Sequence, residues 1–345
     1  MKIALCSSYT PFADGGDRDV MEWLKAALLK AGHQVELVYL PYSAAAESLL
    51  TQMASFRWVD LTSSADRIVC FQPPAYLISH PHKIIWSGCH IREFLDYLSN
   101  ENGQLSVGEE RQAIDDILCS LDAAAFNEAK AVFSHSKSAA DCLRRFNGVN
   151  SEILYQPVSS PERFRHNGFG DEIVCMARLE QRQRQHLLIE AMRHTRTAVR
   201  LRLCGVSSGD KYLQHLEDLI ASLGLQDRVR LENRWTDEGQ RAELLSDCLA
   251  AAYIPSDGWT HGNPALEASH SSKPVLTTSD VGAGAELIEH DHNGLVVAPD
   301  PKALAAAMDQ LYVDRNRTRE MGLHAAARVN EMNISWSTVL TRLLA

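Results

Sequence analysis

The chain has 345 residues, of which 45% are hydrophobic and 23% are charged, and its formal net charge is −10. A single hydrophobic core rarely serves more than about 250 to 300 residues, so this length predicts two domains. The composition excludes a membrane-embedded chain, because no apolar run approaches the roughly 20 residues of a spanning helix, and the acidic balance argues against a nucleic-acid partner.

The N-terminal segment MKIALCSSYTPF has a lysine at position 2 but no apolar signal-peptide core behind it. It therefore predicts a short buried strand rather than a secretion signal, and we expect a cytoplasmic protein. The eight cysteines are scattered without a CxxC pair, a pattern typical of reduced thiols packed in a core.

Short β-branched segments alternate with helical patterns through the first half of the chain. The strand-like segments are 2–6, 34–40, 67–71, 83–86 and 131–135. Helical stretches such as DVMEWLKAALLKAG and EERQAIDDILCSLDAAAFNEAK lie between them. This alternation predicts a doubly wound parallel sheet.

The same alternation restarts after a loop-like segment, 158–171. The predicted strands there are 172–177, 199–204, 228–233, 249–255, 273–278 and 294–298, and the predicted helices are 184–194, 211–223, 238–247, 266–270 and 301–312. The sequence thus predicts an α/β protein with two Rossmann-like, doubly wound domains, 1–160 and 161–330, that face each other across a cleft. Residues 331–345 have apolar residues at helical spacing and predict a C-terminal helix that packs back across the domains.

The segment PSDGWTHGNPALEA, residues 255–268, follows a predicted strand and leads into a helix. A helix N-terminus offers unpaired N–H groups to a phosphate, and Gly258 and Gly262 allow the backbone to approach a ligand. A carboxylate repels a nearby phosphate, so an acid at this place is expected to bind a neutral group of the ligand. The vicinal diol of a ribose is such a group. Glu267 in this setting therefore indicates a nucleotide site.

Residues 255–297 resemble the donor-site block of retaining GT-B glycosyltransferases of the family 4 type, also called glycosyl transferases group 1. The segment ARLEQRQRQHLLIEAM, 177–192, is similar to the pattern GRLxxxKGxxxLIEA of that family. The segment SSYTPFADGGDRDV near the N-terminus is similar to its glycine-glycine loop. The resemblance therefore spans nearly the whole chain.

The resemblance implies retaining transfer of a sugar from a nucleotide-diphosphate sugar to an acceptor hydroxyl. It makes 1–160 the acceptor-side domain and 161–330 the donor domain, and it implies a saccharide or lipid-linked acceptor in polysaccharide, lipopolysaccharide or glycoconjugate biosynthesis. Cations and N–H dipoles can neutralise the departing diphosphate, so no metal and no other cofactor is required. No histidine cluster has the spacing of metal ligands.

Three residues are the candidates for the catalytic machinery. By the resemblance, Arg178 binds the diphosphate, Glu267 holds the ribose and His90 donates a hydrogen bond to the donor sugar. The other donor-binding candidates are Gly15, Gly16, Gln183, Arg234, Trp259, His261, Gly262, Asn263, Pro264, Ala265 and Leu266. Among these, the backbone of 261–265 is expected to contact the donor sugar, and Arg234 with Trp235 is expected to border the base.

Each main candidate also has a structural interpretation. Arg178 alternatively forms a structural ion pair, and Glu267 alternatively complements the dipole of its helix. His90 alternatively binds a loop carbonyl, and the glycine pair 15–16 alternatively forms an ordinary turn.

The sequence departs from the family pattern at informative positions. Trp259 stands where the family has the first of two glutamates, and Gln183 stands where it has a lysine that binds the diphosphate. Cys89 and Ile91 occupy the places beside His90 at which related bacterial members have histidines. Losing one charge-assisted contact to a phosphate costs about 1.5 to 3 kcal/mol, which weakens a transferase without abolishing it.

Three functions remain open from the sequence. The first is the glycosyltransferase, and the second is a catalytically weak or inactive GT-B-like protein that acts as partner or scaffold of an active transferase. The third is a nucleotide-sugar epimerase or hydrolase on the same fold. A weak peripheral membrane contact through the arginines of 143–166 stays open, although a solvated face is favoured, and so does a homo-oligomer.

Overall fold

A computed structural model describes residues 1–9, 16–43, 48–87, 109–207, 209–256 and 263–345. The chain forms two compact units. The first unit contains Met1–Gln156 together with Ser335–Ala345, and the second contains Pro157–Ile334. None of the described helices is both long and apolar enough to cross a membrane.

Twelve described strands form two sheets of six. The strands are β1 Lys2–Tyr9, β2 Gln34–Pro41, β3 Arg67–Cys70, β4 Lys83–Ser87, β5 Ala131–Ser134, β6 Glu152–Ile153, β7 Glu172–Met176, β8 Arg200–Gly205, β9 Val229–Asn233, β10 Ala250–Ala252, β11 Val275–Thr278 and β12 Gly294–Val297. The sheet of the first unit has the order β2-β1-β3-β4-β5-β6, and that of the second has the order β12-β11-β10-β7-β8-β9. All pairings between these strands are parallel.

Helices form most of the crossover connections that parallel pairing requires, whereas β3 and β4, and β11 and β12, are joined by segments that contain only a 3-10 turn. The described helices are α1 Gly16–Lys30, α2 Leu49–Arg57, α3 Glu109–Asn127, α4 Lys137–Asn147, α5 Gln185–Met192, α6 Asp210–Ser222, α7 Glu238–Asp247, α8 Asn263–His270, α9 Pro301–Val313, α10 Arg315–Glu331 and α11 Trp336–Leu344. The predicted α/β fold with two doubly wound parallel sheets is confirmed.

The first sheet is buried on both faces, as its continuous apolar strands predict. In β1, Ile3 and Leu5 pack in one core cluster with α1 and α11, whereas Ala4 and Cys6 pack in another with Phe126 of α3. Successive side chains of a strand point to opposite faces, so a single apolar strand contributes to both clusters.

The second sheet reverses its strand order at β7. From β7 the chain proceeds outward to β8 and β9 and then returns to β10 on the other side of β7. Such a reversal is the switch point at which open α/β sheets bind ligands, outside the carboxyl ends of the strands. Leu201 and Leu203 of β8 form the core with Leu188 of α5 and Leu216 of α6.

Some element boundaries differ from the sequence-based expectations. The strand predicted over 249–255 is limited to β10, and α8 begins at Asn263 rather than at residue 266. The short edge strand β6 and the helix α10 are not evident from the sequence. In α10 the buried face includes small residues such as Gly322 and Ala325, which give little hydrophobic periodicity.

Candidate functional site

The carboxyl edge of the second sheet collects most of the described candidate residues. The segment 177–184 follows β7, the segment 253–256 follows β10, and Ser279 and Asp280 follow β11. Because these strands are parallel neighbours, their carboxyl ends lie along one edge of the sheet.

Arg178 lies directly beyond β7 and its side chain is exposed. Its backbone carbonyl accepts a hydrogen bond of 2.7 Å from Nε2 of Gln185, the first residue of α5. Its guanidinium forms no hydrogen bond or ion pair with any other residue that the structure describes. Within that part of the chain, Arg178 is therefore a fixed backbone position with a cation available to an anionic ligand.

Gln183 ends a short 3-10 turn, 181–183, and is buried. It is followed by Arg184, whose backbone has the left-handed φ of 54°. A non-glycine residue in this conformation costs about 1 to 3 kcal/mol and persists only where its surroundings hold it. The Arg184 side chain supplies these interactions.

The guanidinium of Arg184 is buried and makes five hydrogen bonds. Nε donates to the carbonyl of Ile254 at 2.7 Å, and Nη2 donates to the carbonyl of Pro255 at 2.7 Å and to Oγ1 of Thr278 at 2.9 Å. Nη1 and Nη2 donate to the two carboxylate oxygens of Asp280 at 2.7 and 3.0 Å. These hydrogen bonds hold the pKa of Asp280 below its ordinary value. The guanidinium of Arg184 is thus fully bound to protein groups. It does not replace the lysine that the family pattern has at position 183.

Glu267 lies in the second turn of α8 and is only 4% exposed. Nε of Arg241, from α7, donates to both carboxylate oxygens at 3.0 and 3.1 Å, and Nη2 lies 2.9 Å from Oε1. Arg241 is itself anchored by a hydrogen bond to the carbonyl of Thr236. Burial raises the pKa of Glu267 above its ordinary value, and Arg241 opposes that rise. A carboxylate offers about four acceptor sites, so Glu267 retains capacity for a hydroxyl ligand.

The residues before Glu267 form the first turn of α8. Ala265 and Leu266 are buried, and Ser269 donates a hydrogen bond of 2.9 Å to the carbonyl of Ala265. Their side chains therefore stabilise the helix against the sheet. The first four N–H groups of any helix have no partner within it, and Pro264 lacks one of them.

Arg234 lies beyond β9 and is tied to a carboxylate. Its Nε donates to Oε2 of Glu232 at 2.8 Å, and the same carboxylate accepts Arg230 at 2.6 Å and Arg202 at 3.2 Å. Trp235 beside it is 61% exposed. The structure therefore places Arg234 in an arginine cluster on Glu232, with Trp235 projecting from the same segment.

Several candidates lie outside the described residues: Gly15, His90, Trp259, His261 and Gly262. Gly16 begins α1 in the first unit, and Asn263 begins α8 in the second. Among the described residues, no three His, Cys, Asp or Glu side chains form a group able to hold a metal ion.

The sequence does not indicate the pairings of three residues that organise this edge: Arg184, Asp280 and Arg241. Arg184 occupies the glycine position of the pattern GRLxxxKGxxxLIEA, so the departure itself was visible. Its partner Asp280 lies 96 positions away, and Arg241 lies 26 positions from Glu267. No local spacing indicates either pairing.

Comparison with known protein families and curated proteins gives matches that each cover part of the chain. Residues 170–314 match the family "Glycosyl transferases group 1". The chain is 31% identical, over 44% of its length, to a GDP-mannose-dependent alpha-(1-6)-phosphatidylinositol monomannoside mannosyltransferase of Mycobacterium tuberculosis. It is 29% identical, over 50% of its length, to a D-inositol 3-phosphate glycosyltransferase of Corynebacterium diphtheriae. The matched part spans 40% of the length of each relative.

The likeness to solved structures extends over the whole chain. The crystal structure of Anabaena Alr3699/HepE in complex with UDP superposes with a TM-score of 0.76. The alignment covers 100% of this chain and 98% of that one at 18% identity. At this identity the likeness concerns the fold, which is the two-domain α/β fold called GT-B.

Proposed function

We propose, on the match of residues 170–314 to the family "Glycosyl transferases group 1", that the chain transfers a sugar from a nucleotide-diphosphate sugar to an acceptor hydroxyl. The proposal includes retention of configuration, as in the family 4 type, and a saccharide or lipid-linked acceptor. It also includes a role in cytoplasmic polysaccharide, lipopolysaccharide or glycoconjugate biosynthesis.

The observation that carries the proposal is the exposed guanidinium of Arg178 at the switch point of the second sheet. It has no ion-pair partner among the described residues, and Gln185 anchors its backbone at 2.7 Å. A diphosphate leaving group is stabilised most readily by a cation that is not already paired with a carboxylate of the protein. Arg178 meets that requirement, unlike Arg184 and Arg241.

Glu267 supports a nucleotide rather than a free phosphate as the ligand. Its carboxylate is held by Arg241 in a buried setting, which fixes its orientation. A fixed, buried carboxylate is suited to accept hydrogen bonds from a vicinal diol. In the proposed reaction Glu267 holds the ribose, Arg178 neutralises charge on the departing diphosphate, and His90 binds the donor sugar.

The related proteins indicate which nucleotides to test. One relative is named GDP-mannose-dependent, and the Anabaena protein was crystallised with UDP. The base is therefore guanine or uracil in our proposal, and the donor site needs no metal.

Calorimetric titration of the purified chain with UDP, GDP and ADP tests the donor site. We expect binding of one nucleotide in the micromolar range, weakened about tenfold or more in Arg178→Ala, since a hydrogen bond to a charged group contributes about 1.5 to 3 kcal/mol. Arg193→Ala is the matched control, because Arg193 is an exposed arginine at the opposite end of α5. Donor hydrolysis in the absence of an acceptor then tests for turnover.

A second candidate function rests on Gln183. With a neutral residue at that position and Arg184 bound to Asp280, the diphosphate loses one of the cations that the family pattern provides. A GT-B-like partner or scaffold of an active transferase would have such a site. Absence of heat with all three nucleotides, from protein shown to be folded, would overturn the transferase proposal in favour of this one.

A further inference from the structure

We infer that Arg184 is a positioning residue, which together with Asp280 holds three loops of the carboxyl edge in one arrangement before any ligand binds. The relevant group, called here the Arg184 cluster, consists of Arg184, Asp280, Thr278 and the carbonyls of Ile254 and Pro255. Its proposed effect on ligand binding rests on the proposed function, whereas its effect on the loops does not.

The cluster joins three segments that are distant in sequence. Arg184 ends the segment after β7, the two carbonyls belong to the segment after β10, and Asp280 belongs to the segment after β11. Thr278 donates a hydrogen bond of 2.7 Å to Oδ1 of Asp280, so the aspartate is held on two sides. One buried guanidinium therefore links the ends of three parallel strands.

A backbone contact strengthens the same connection. The N–H of Ser256 donates to the carbonyl of Arg182 at 2.8 Å, two residues before Arg184. The segment after β7 is thus bound to the segment after β10 both by the side chain of Arg184 and by the main chain of Arg182. Arg178 and Gln183 lie in that segment, so their positions depend on these contacts.

The conformation of Arg184 is consistent with this role. Its φ of 54° is favourable for glycine and unfavourable for arginine. The family pattern quoted above has glycine at this position, and glycine adopts the conformation without a side chain. In this chain an arginine occupies the position, and its five hydrogen bonds compensate for the unfavourable backbone.

The charge of Arg184 is compensated in place. The two carboxylate oxygens of Asp280 accept hydrogen bonds from Nη1 and Nη2 of Arg184. The Arg184 side chain is 10% exposed. Arg184 therefore does not touch the donor in our proposal. It acts by preorganising the loop that presents Arg178, which lowers the ordering cost of binding.

Hydrogen–deuterium exchange of the ligand-free chain tests the cluster directly. We compare the wild type with Arg184→Gly, which keeps the left-handed backbone accessible, and with Asp280→Asn. We expect exchange in peptides covering 178–183 and 253–256 to become at least tenfold faster in both variants, with β8 unchanged. Adding Asp280→Asn to Arg184→Gly should have little further effect, because Arg184→Gly already removes the contact to Asp280.

The matched control is the pair of Arg315 and Asp171, which lies at the amino end of β7, whereas Arg184 follows the carboxyl end of that strand. Nη2 of Arg315 lies 2.6 Å from Oδ1 of Asp171, immediately before β7. Arg315→Lys and Arg184→Lys are compared for unfolding and for UDP and GDP affinity. We expect Arg184→Lys, which cannot form the bidentate contact, to lose about tenfold in affinity, and Arg315→Lys to retain it whatever its effect on unfolding.

The possible results separate the two proposals. Wild-type exchange rates for 178–183 in Arg184→Gly and in Asp280→Asn would overturn the role of the cluster, even if nucleotides bind. Faster exchange without nucleotide binding by the wild type would support the cluster and overturn the transferase. If Arg184→Gly does not fold, Asp280→Asn provides the exchange test.

Discussion

Two carboxylates at the carboxyl edge, those of Asp280 and Glu267, are each bound by an arginine, yet their pKa values are shifted in opposite directions. Asp280 has a side chain 43% exposed, and the hydrogen bonds from Arg184 hold its pKa below the ordinary value. Glu267 is almost fully buried, and burial raises its pKa although Arg241 opposes the rise. The degree of burial decides the direction, because desolvation penalises the charged form.

The buried pair predicts a pH-dependent effect of Arg241→Met. Breaking a buried ion pair by removing one partner costs about 3 to 5 kcal/mol, since the remaining charge is uncompensated. Without Arg241 the pKa of Glu267 rises further, so the folded protein binds this proton more tightly than the unfolded chain. The free energy of unfolding then falls as pH rises from the ordinary value of 4.5 towards the raised one.

Urea denaturation at about pH 5 and about pH 8 measures this effect. We expect Arg241→Met to lose more stability relative to the wild type at the higher pH. The double variant Arg241→Met with Glu267→Gln removes the titrating group and should show no such difference. An equal loss for Arg241→Met at both values would contradict the assignment of the buried charge to Glu267.

Replacing Gln183 by lysine is expected to strengthen nucleotide binding. Gln183→Lys restores the cation that the family pattern has at this position, and we expect nucleotide affinity to rise about tenfold. The gain should shrink with added salt, which screens charge interactions. Calorimetry at low and high salt measures it, with Gln181→Lys on the exposed side of the same turn as the control. No gain in Gln183→Lys, or an equal gain in Gln181→Lys, would mean that position 183 does not face the diphosphate.

At the scale of elements, the close approach of α10 to the loop after α8 depends on a glycine. A Cβ atom at Gly322 would lie 2.0 Å from the carbonyl oxygen of Ser272 and 2.8 Å from its carbon, which are backbone atoms that cannot rotate away. The helix therefore packs directly against the backbone at this point. This contact adds to the packing of the buried face of α10, which also includes Met321 and Val329.

Gly322→Ala is consequently expected to destabilise the protein. In an exposed helix interior the same change stabilises by up to about 1 kcal/mol, whereas here overpacking should cost about 1 to 3 kcal/mol. Gly239→Ala in α7 is the control, since the nearest atom is the tip of the Asp237 side chain at 3.3 Å. Thermal unfolding of both variants measures the difference, and equal midpoints would refute the packing argument.

At the scale of the whole molecule, the C-terminal helix belongs to the core of the first unit. Val339 and Leu343 of α11 are 1% exposed and pack with Val20, Met21 and Leu24 of α1. The chain therefore begins and ends in the same unit, and the second unit is inserted between Gln156 and Ser335.

This connectivity predicts that a mutation in α11 acts on the first unit. Leu343→Ala should lower its stability by about 2 to 5 kcal/mol, because it removes a buried side chain and leaves a cavity. Hydrogen exchange should show reduced protection in 1–87 and unchanged protection in 172–334. Leu188→Ala in α5 should give the reverse pattern. Loss of protection in both units from Leu343→Ala would contradict two independent cores.

The sequence by itself determined the alternation of strands and helices, because apolar periodicity is local and survives without knowledge of partners. It also determined the position of α8 and its acid, since a glycine-rich segment before a helix is a local pattern. It did not determine the short strand β6 or the helix α10, whose buried face includes small residues.

Only the tertiary structure decided which charges remain available at the candidate site. Arg184 and Arg241 are as basic in sequence as Arg178, but each is bound to a carboxylate that lies far along the chain. These pairings arise because the parallel strand order brings helices α7 and α8, and the segments after β7 and β11, to the same edge of the sheet, although the paired residues are 26 and 96 positions apart. Burial then raises the pKa of Glu267 above its ordinary value, and burial is a property of the packed unit rather than of any local segment.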